Sequence, residues 1–261
     1  MIMKTEEDVK KQRKGIYLLP NLLTTAGLFA GFYSIVGAMH GHFEAAAIAV
    51  FIAIVTDGLD GRVARMTNTA SDFGAEYDSL SDMVCFGLAP SLIMYEWSLF
   101  YMANVGWAKL GWIAAFFFTA TAALRLARFN TQCDDGDRRF FKGLASPAAA
   151  ALLVGAVWVA DDLGLSGKSL VLPMFVLTLT AGALMVSNIR YYSFKDIGAR
   201  HRVPFIAILA IVVVFMFASI DPPKVILGGF ILYALSGPVM GLKYLFRRRK
   251  PATPDSQTPA E

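Results

Sequence analysis

At 261 residues the chain is long enough for one sizeable domain, but 56% hydrophobic residues against 17% charged ones exclude an ordinary soluble fold. The net charge of +4 calls for no nucleic-acid partner, since anionic membrane lipid accounts for it. Of the two cysteines, Cys85 lies in an apolar run and Cys133 in a charged loop, which suggests neither a disulfide framework nor a zinc site.

The apolar residues fall in long runs, and spanning a bilayer takes about 20 such residues per helix. The two-residue alternation of a membrane barrel is missing. The expected fold is all-α: a polytopic transmembrane helical bundle of about eight transmembrane helices with a short interfacial N-terminal helix. In chain order, residues 1–19 place Lys10, Lys11, Arg13 and Lys14 before Ile16, Tyr17, Leu18 and Leu19, which suits a segment lying on an anionic leaflet. Spans are expected at 20–39, 43–63, 75–98, 107–128, 146–161, 169–189, 203–219 and 224–245. The first follows basic residues as a signal peptide would, but its length and the close second span read as a retained helix. His40 and His42, beside Glu44, read as a polar connection between helices rather than a metal site. The segments are then an interfacial 1–19, a single transmembrane domain at 20–246 and a disordered tail at 247–261, ending in KPATPDSQTPAE.

The basic residues orient this array. With both ends in the cytoplasm, only Lys109, Lys168 and Lys224 of the 24 Lys and Arg fall on the outer side. That asymmetry is what the positive-inside rule requires of eight spans in the cytoplasmic membrane.

One segment breaks the apolar logic: residues 57–82, DGLDGRVARMTNTASDFGAEYDSLSD. Asp57 and Asp60 sit three apart near the end of the second span, and Asp78 and Asp82 four apart near the start of the third. Each spacing puts a pair on one helix face. A tight connection would bring the two faces together at the membrane boundary. Burying one acid in a bilayer costs about 2.5–3.5 kcal/mol on insertion scales, and four together repel unless protonated or bridged by cations. The plainer reading is four carboxylates facing cytoplasm. The sharper one is a pair of hard cations, Mg²⁺ or Mn²⁺, held by oxygen ligands alone, an arrangement used for displacement at phosphorus. Gly58, Gly61, Ala64 and Gly74 lack bulk and would admit a diphosphate to the backbone, and Arg65 is a fork donor for phosphate or nucleotide.

Asp57, Asp60, Gly61, Ala64, Arg65, Gly74, Asp78 and Asp82 fill the pattern D-x2-D-G-x2-A-R-x8-G-x3-D-x3-D in full. The chain thereby resembles the CDP-alcohol phosphotransferase family. The resemblance implies a homodimeric membrane enzyme with a two-metal site open to the cytoplasm. It also implies metal ligation by Asp57, Asp60 and Asp78, a general base at Asp82 that is also a possible ligand, and contact with the CDP moiety by Gly61, Ala64, Arg65 and Gly74.

Three further stretches, LLPNLLTTAGLFAGF at 18–32, LRLARFNT at 124–131 and FFKGLASPAAAAL at 140–152, resemble the phosphatidylserine synthase branch of that family. In the last of these, Ala145 stands where the resemblance leads one to expect Pro. The implied substrates are CDP-diacylglycerol and L-serine. The same chemistry with glycerol 3-phosphate, an inositol phosphate or choline is an alternative, left open by Arg138, Arg139 and Lys142. A cation transporter using the carboxylates as its path is a remote one, since transport sites sit nearer the bilayer midplane. Arg125, Arg128 and Asn130 end the fourth span on the side of the carboxylates. Arg128 is expected either to anchor the span or to bind the serine carboxylate or a substrate phosphate. Asn21 and Thr24, at the start of the first span, are expected to cap that helix or touch the nucleotide.

Overall fold

The computed structural model describes residues 18–67, 69–131, 140–192, 216 and 219–248. The described chain is helical apart from one small ladder. Helix α1 (Leu18–Met39) and helix α2 (Phe43–Met66) form an antiparallel hairpin. Their turn is closed by Gly41, whose φ of 76° lies in the left-handed region that glycine tolerates. The buried face of α2 is made of Ala46, Ala47, Ala49, Val50 and Ala53. Such small side chains let helix backbones approach closely.

Helix α3 (Asp72–Asp82) starts where the Ser71 side chain accepts a hydrogen bond from the Gly74 N–H at 3.1 Å, an N-cap. It continues through a π-helical turn (Met83–Leu88) into α4 (Ala89–Trp97). This turn packs on α1, where a Cβ at Gly31 would lie 2.6 Å from Cys85 Sγ. Only glycine lets the two elements meet there. A 3₁₀ segment (Leu99–Val105) leads to α5 (Ala108–Thr131).

Helix α6 (Ser146–Asp162) opens with a proline in its first turn, where the missing N–H costs nothing. It is buried on nearly every side and packs against α2, α4 and α8, so it is the centre of the bundle. The residue before it, Ala145, has φ −62° and ψ 137°. This is the polyproline conformation, so the loop keeps a geometry that proline would also take. Helices α7 (Val171–Val186) and α8 (Pro222–Arg248) complete the described set.

Seven of the eight expected apolar runs are helical within a few residues of their expected bounds. The run at 203–219 and the tail from 249 onward lie almost wholly outside the described residues, as do positions 1–17. Leu18 and Leu19, expected in the interfacial segment, already belong to α1. Among the described residues two helices, Leu19–Met39 and Lys109–Thr131, are long and apolar enough to cross a membrane. Phe29, Phe32, Trp112, Phe116, Leu172 and Leu232 all expose more than half of their surface.

One small ladder accompanies the all-α bundle. Strand β1 (Phe140–Lys142) pairs antiparallel with β2 (Arg190–Tyr192), in the register Phe140↔Tyr192, Phe141↔Tyr191 and Lys142↔Arg190. Two connections far apart in sequence meet here, and their backbones satisfy each other. A missing backbone hydrogen bond in α8 anchors the ladder. Pro238 has no N–H, which leaves the Ala234 carbonyl without its helical donor. The hydroxyl of the fully buried Tyr191 donates to that carbonyl at 3.1 Å.

Candidate active site

Helix α2 ends and α3 begins at the same end of the bundle, so their acidic residues meet. Carboxylate oxygens of Asp57, Asp60 and Asp78 lie within 4.8 Å of one another. The Asp82 carboxyl lies against that of Asp57 and lines the same small cavity. The spacings of three and four therefore converge as expected. Asp60 is the most buried of the four, at 4% exposure, and it is not left alone. Thr24 Oγ1 on α1 donates to Asp60 Oδ2 at 2.7 Å and approaches the Pro20 carbonyl at 3.1 Å. Ser81 Oγ, between Asp78 and Asp82 in sequence, donates to the Thr24 carbonyl at 3.4 Å. Helix α1 is thus the third wall of the acidic site.

Next to the carboxylates opens a cleft of about 190 Å³. Asp60 and Asp78 form its floor, and Asn21, Thr24, Gly61, Ala64, Arg65 and Gly74 line it. Gly61, Ala64, Arg65 and Gly74 are all here, together with Asn21 and Thr24, while Gly58 is not part of the lining. A Cβ at Gly74 would come within 3.2 Å of Ser71 Oγ and 3.4 Å of Asn21 Oδ1, so a larger residue would push into the lining. Sequence reading missed Thr69 and Ser71, which line the cleft from the α2–α3 connection. Nothing in their spacing singles them out.

Arg128 and Asn130 lie outside this lining. Arg128 Nη2 donates to Asn188 Oδ1 at 2.9 Å, and Asn130 Nδ2 donates to Ser79 Oγ at 2.9 Å. Asn130 thereby ties α5 to α3 beside Asp78, and Arg128 ties α5 to the segment that leads into β2. Arg138 and Arg139 are outside the described residues.

The donor set fits a hard divalent cation: several carboxylates converge, and among the described residues no histidine joins them. Cys85 borders the cavity, but its thiol donates to the Gly27 carbonyl at 3.2 Å, and it is not one of the converging ligands.

The CDP-alcohol phosphatidyltransferase family pattern matches residues 17–160 of the chain, which include the whole carboxylate cluster and cleft. A CDP-diacylglycerol–serine O-phosphatidyltransferase of Helicobacter pylori is 37% identical over 239 residues, covering 91% of this chain and 98% of that one. One of the same name from Methanocaldococcus jannaschii is 38% identical over 147 residues, covering 56% of this chain and 63% of the other. An archaetidylserine synthase of Methanothermobacter thermautotrophicus is 31% identical over 183 residues, covering 69% and 72%. The chain belongs to the CDP-alcohol phosphatidyltransferase family. It is therefore a transferase, and its apolar helices fit a membrane protein.

Proposed function

We propose that this chain transfers the phosphatidyl group of CDP-diacylglycerol to L-serine, releasing CMP and forming phosphatidylserine. The observation that carries the reading is the convergence of Asp57, Asp60 and Asp78 beside a cleft that Asp60, Asp78, Gly61 and Gly74 line. The names of the relatives support serine as the acceptor and do not favour glycerol 3-phosphate, an inositol phosphate or choline.

In this reading Gly61, Ala64, Arg65 and Gly74 hold the CDP moiety in the cleft, with Asn21 and Thr24 on its α1 side. Asp57, Asp60, Asp78 and Asp82 would hold two divalent cations, Mg²⁺ or Mn²⁺, which supply charge neutralisation at the diphosphate. Asp82 accepts the proton of the serine hydroxyl as its oxygen attacks the lipid-side phosphorus. A new phosphorus–oxygen bond forms, the bond to the CMP oxygen breaks, and CMP leaves. Arg128 and Asn130, at the end of α5, contact substrate at the rim. The bundle sits in the cytoplasmic membrane as a homodimer of single-domain chains. Each chain has eight spans, an interfacial segment at 1–19 and a tail at 247–261, with active site and both termini facing the cytoplasm. The distribution of Lys and Arg supports that orientation.

CMP release from CDP-diacylglycerol, with serine and each rival acceptor supplied in turn, tests the reaction. Serine should give release and phosphatidylserine in equal amounts; release that depends on another alcohol instead would overturn the reading. For the topology, single cysteines near residues 41, 104, 165 and 222 should label from outside, and those near 68, 136 and 196 only from the cytoplasm.

A further inference from the structure

Thr24 joins α1 to both of the helices that carry the carboxylates. It is buried, and its two polar ends point to different neighbours. Its Oγ1 meets α2, where it donates to Asp60 Oδ2 at 2.7 Å. Its carbonyl meets α3, where it accepts from Ser81 Oγ at 3.4 Å. One turn further along α1 the same double contact recurs. A Cβ at Gly27 would come within 2.9 Å of Thr56 Oγ1 on α2, and the Gly27 carbonyl accepts from the Cys85 thiol at 3.2 Å. Helix α1 thus holds the pair Asp57 and Asp60 against the pair Asp78 and Asp82.

A threonine inside a helix commonly donates to the carbonyl four residues back. Thr25 does so, with Oγ1 at 2.7 Å from the Asn21 carbonyl. At Thr24 that helical contact, to the Pro20 carbonyl, is the longer one at 3.1 Å, and the carboxylate of Asp60 is the nearer acceptor. A hydroxyl has one proton to give, and a carboxylate is the stronger acceptor. The proton committed to Asp60 cannot also be offered to a substrate phosphate. Thr24 and Asp60 both line the nucleotide cleft, and both also line a smaller inner cavity of about 10 Å³ that Asp57 and Asp82 border. Their hydrogen bond therefore lies where the two spaces meet. With Oδ2 held, the Asp60 carboxylate cannot turn freely, and its oxygens stay within 4.8 Å of those of Asp57 and Asp78. Carboxylates that bind metal are commonly fixed by such an outer hydrogen bond, and losing it costs roughly 10–100-fold in metal affinity or activity.

We infer that Thr24 is a positioning residue of the metal site: its hydroxyl holds the Asp60 carboxylate in the orientation in which it joins Asp57 and Asp78 around a divalent cation. This rests on the reading of the carboxylate cluster as a metal site, and it gives α1 a part in metal binding that is separate from any contact with the nucleotide.

The test titrates the full-length protein in detergent with Mn²⁺, without CDP-diacylglycerol or serine, and follows free Mn²⁺ by its electron paramagnetic resonance signal. Thr24→Val keeps the shape and removes the hydroxyl, so it should bind Mn²⁺ roughly 10–100-fold more weakly than the native protein. Thr24→Ser keeps the hydroxyl and should bind close to natively. At saturating Mn²⁺, KM for CDP-diacylglycerol in Thr24→Val should return to near the native value. Thr24→Ala is measured in the same way if the valine variant does not fold, and the same loss is expected. Native Mn²⁺ affinity in the variant without the hydroxyl overturns the inference, and a raised KM for CDP-diacylglycerol at saturating Mn²⁺ would then assign Thr24 to the nucleotide. Equal losses in Thr24→Ser and Thr24→Val also overturn it, because packing rather than the hydroxyl would be responsible. A native protein that binds no Mn²⁺ is a distinct result, which removes the metal reading itself and this inference with it.

Discussion

The two sides of the active site are built in different ways. Most of the nucleotide cleft and all four carboxylates come from one run of 26 residues, 57–82, folded back on itself and closed by the first turns of α1. The side behind the cluster is assembled from Arg125 on α5, Ser146 on α6, Asn188 before β2 and Tyr233 on α8. The first side places carboxylates and glycines at helical spacing, so its geometry follows from local sequence. The second depends on how four distant segments pack. Under the proposed function the metal and nucleotide chemistry resides in the local side, and Arg128, proposed to contact substrate, resides in the assembled one.

The largest expected effect is on the local side. Chelation with EDTA should abolish CMP release, and Mg²⁺ or Mn²⁺ should restore it where Zn²⁺ does not, because the converging ligands are carboxylates. Full activity in metal-free buffer would break the comparison at its root. Asp82→Asn is next in size. It keeps the shape of the side chain and removes the basic oxygen, so kcat should fall by about 10²–10⁴ with donor binding largely retained. Asp57→Asn, by contrast, should weaken metal and donor binding together. Normal turnover of Asp82→Asn at saturating serine would put the base elsewhere.

The same division explains what could be read in advance. The helices of the first half and the convergence of Asp57, Asp60 and Asp78 were legible because period and spacing determine them. The Thr24–Asp60 hydrogen bond was half legible. Thr24 stood out as polar at the start of an apolar span, but its partner 36 residues away did not. The β1–β2 ladder was illegible, since Phe-Phe-Lys and Arg-Tyr-Tyr are too short to carry a strand period. Its anchor needs a proline in α8 and a tyrosine in β2 to be considered together. Arg125 and Arg128 looked alike as basic residues ending a span, and only packing separates the buried one from the one tied to Asn188.

The smallest expected effect sharpens the comparison at those two arginines. Arg128 donates to a neutral side-chain oxygen at the end of the bundle, so the pair is an ordinary charge-assisted contact open to solvent competition. Losing it should slow turnover by roughly 3–30-fold, the range that about 0.7–2 kcal/mol allows. If Arg128 serves a substrate phosphate, serine and ethanolamine (serine without its carboxylate) should slow together in Arg128→Ala and the ratio between them should stay put. Asn188→Ala then asks whether the partner matters. If Asn188 acts only by holding Arg128, the double variant should be no worse than Arg128→Ala alone, giving a coupling of about 0.5–2 kcal/mol in a double-mutant cycle. Additive losses would mean that the two residues act independently and that the segment before β2 has its own part in catalysis. A shift in the acceptor ratio at Arg128 would instead place the serine carboxylate at Arg128.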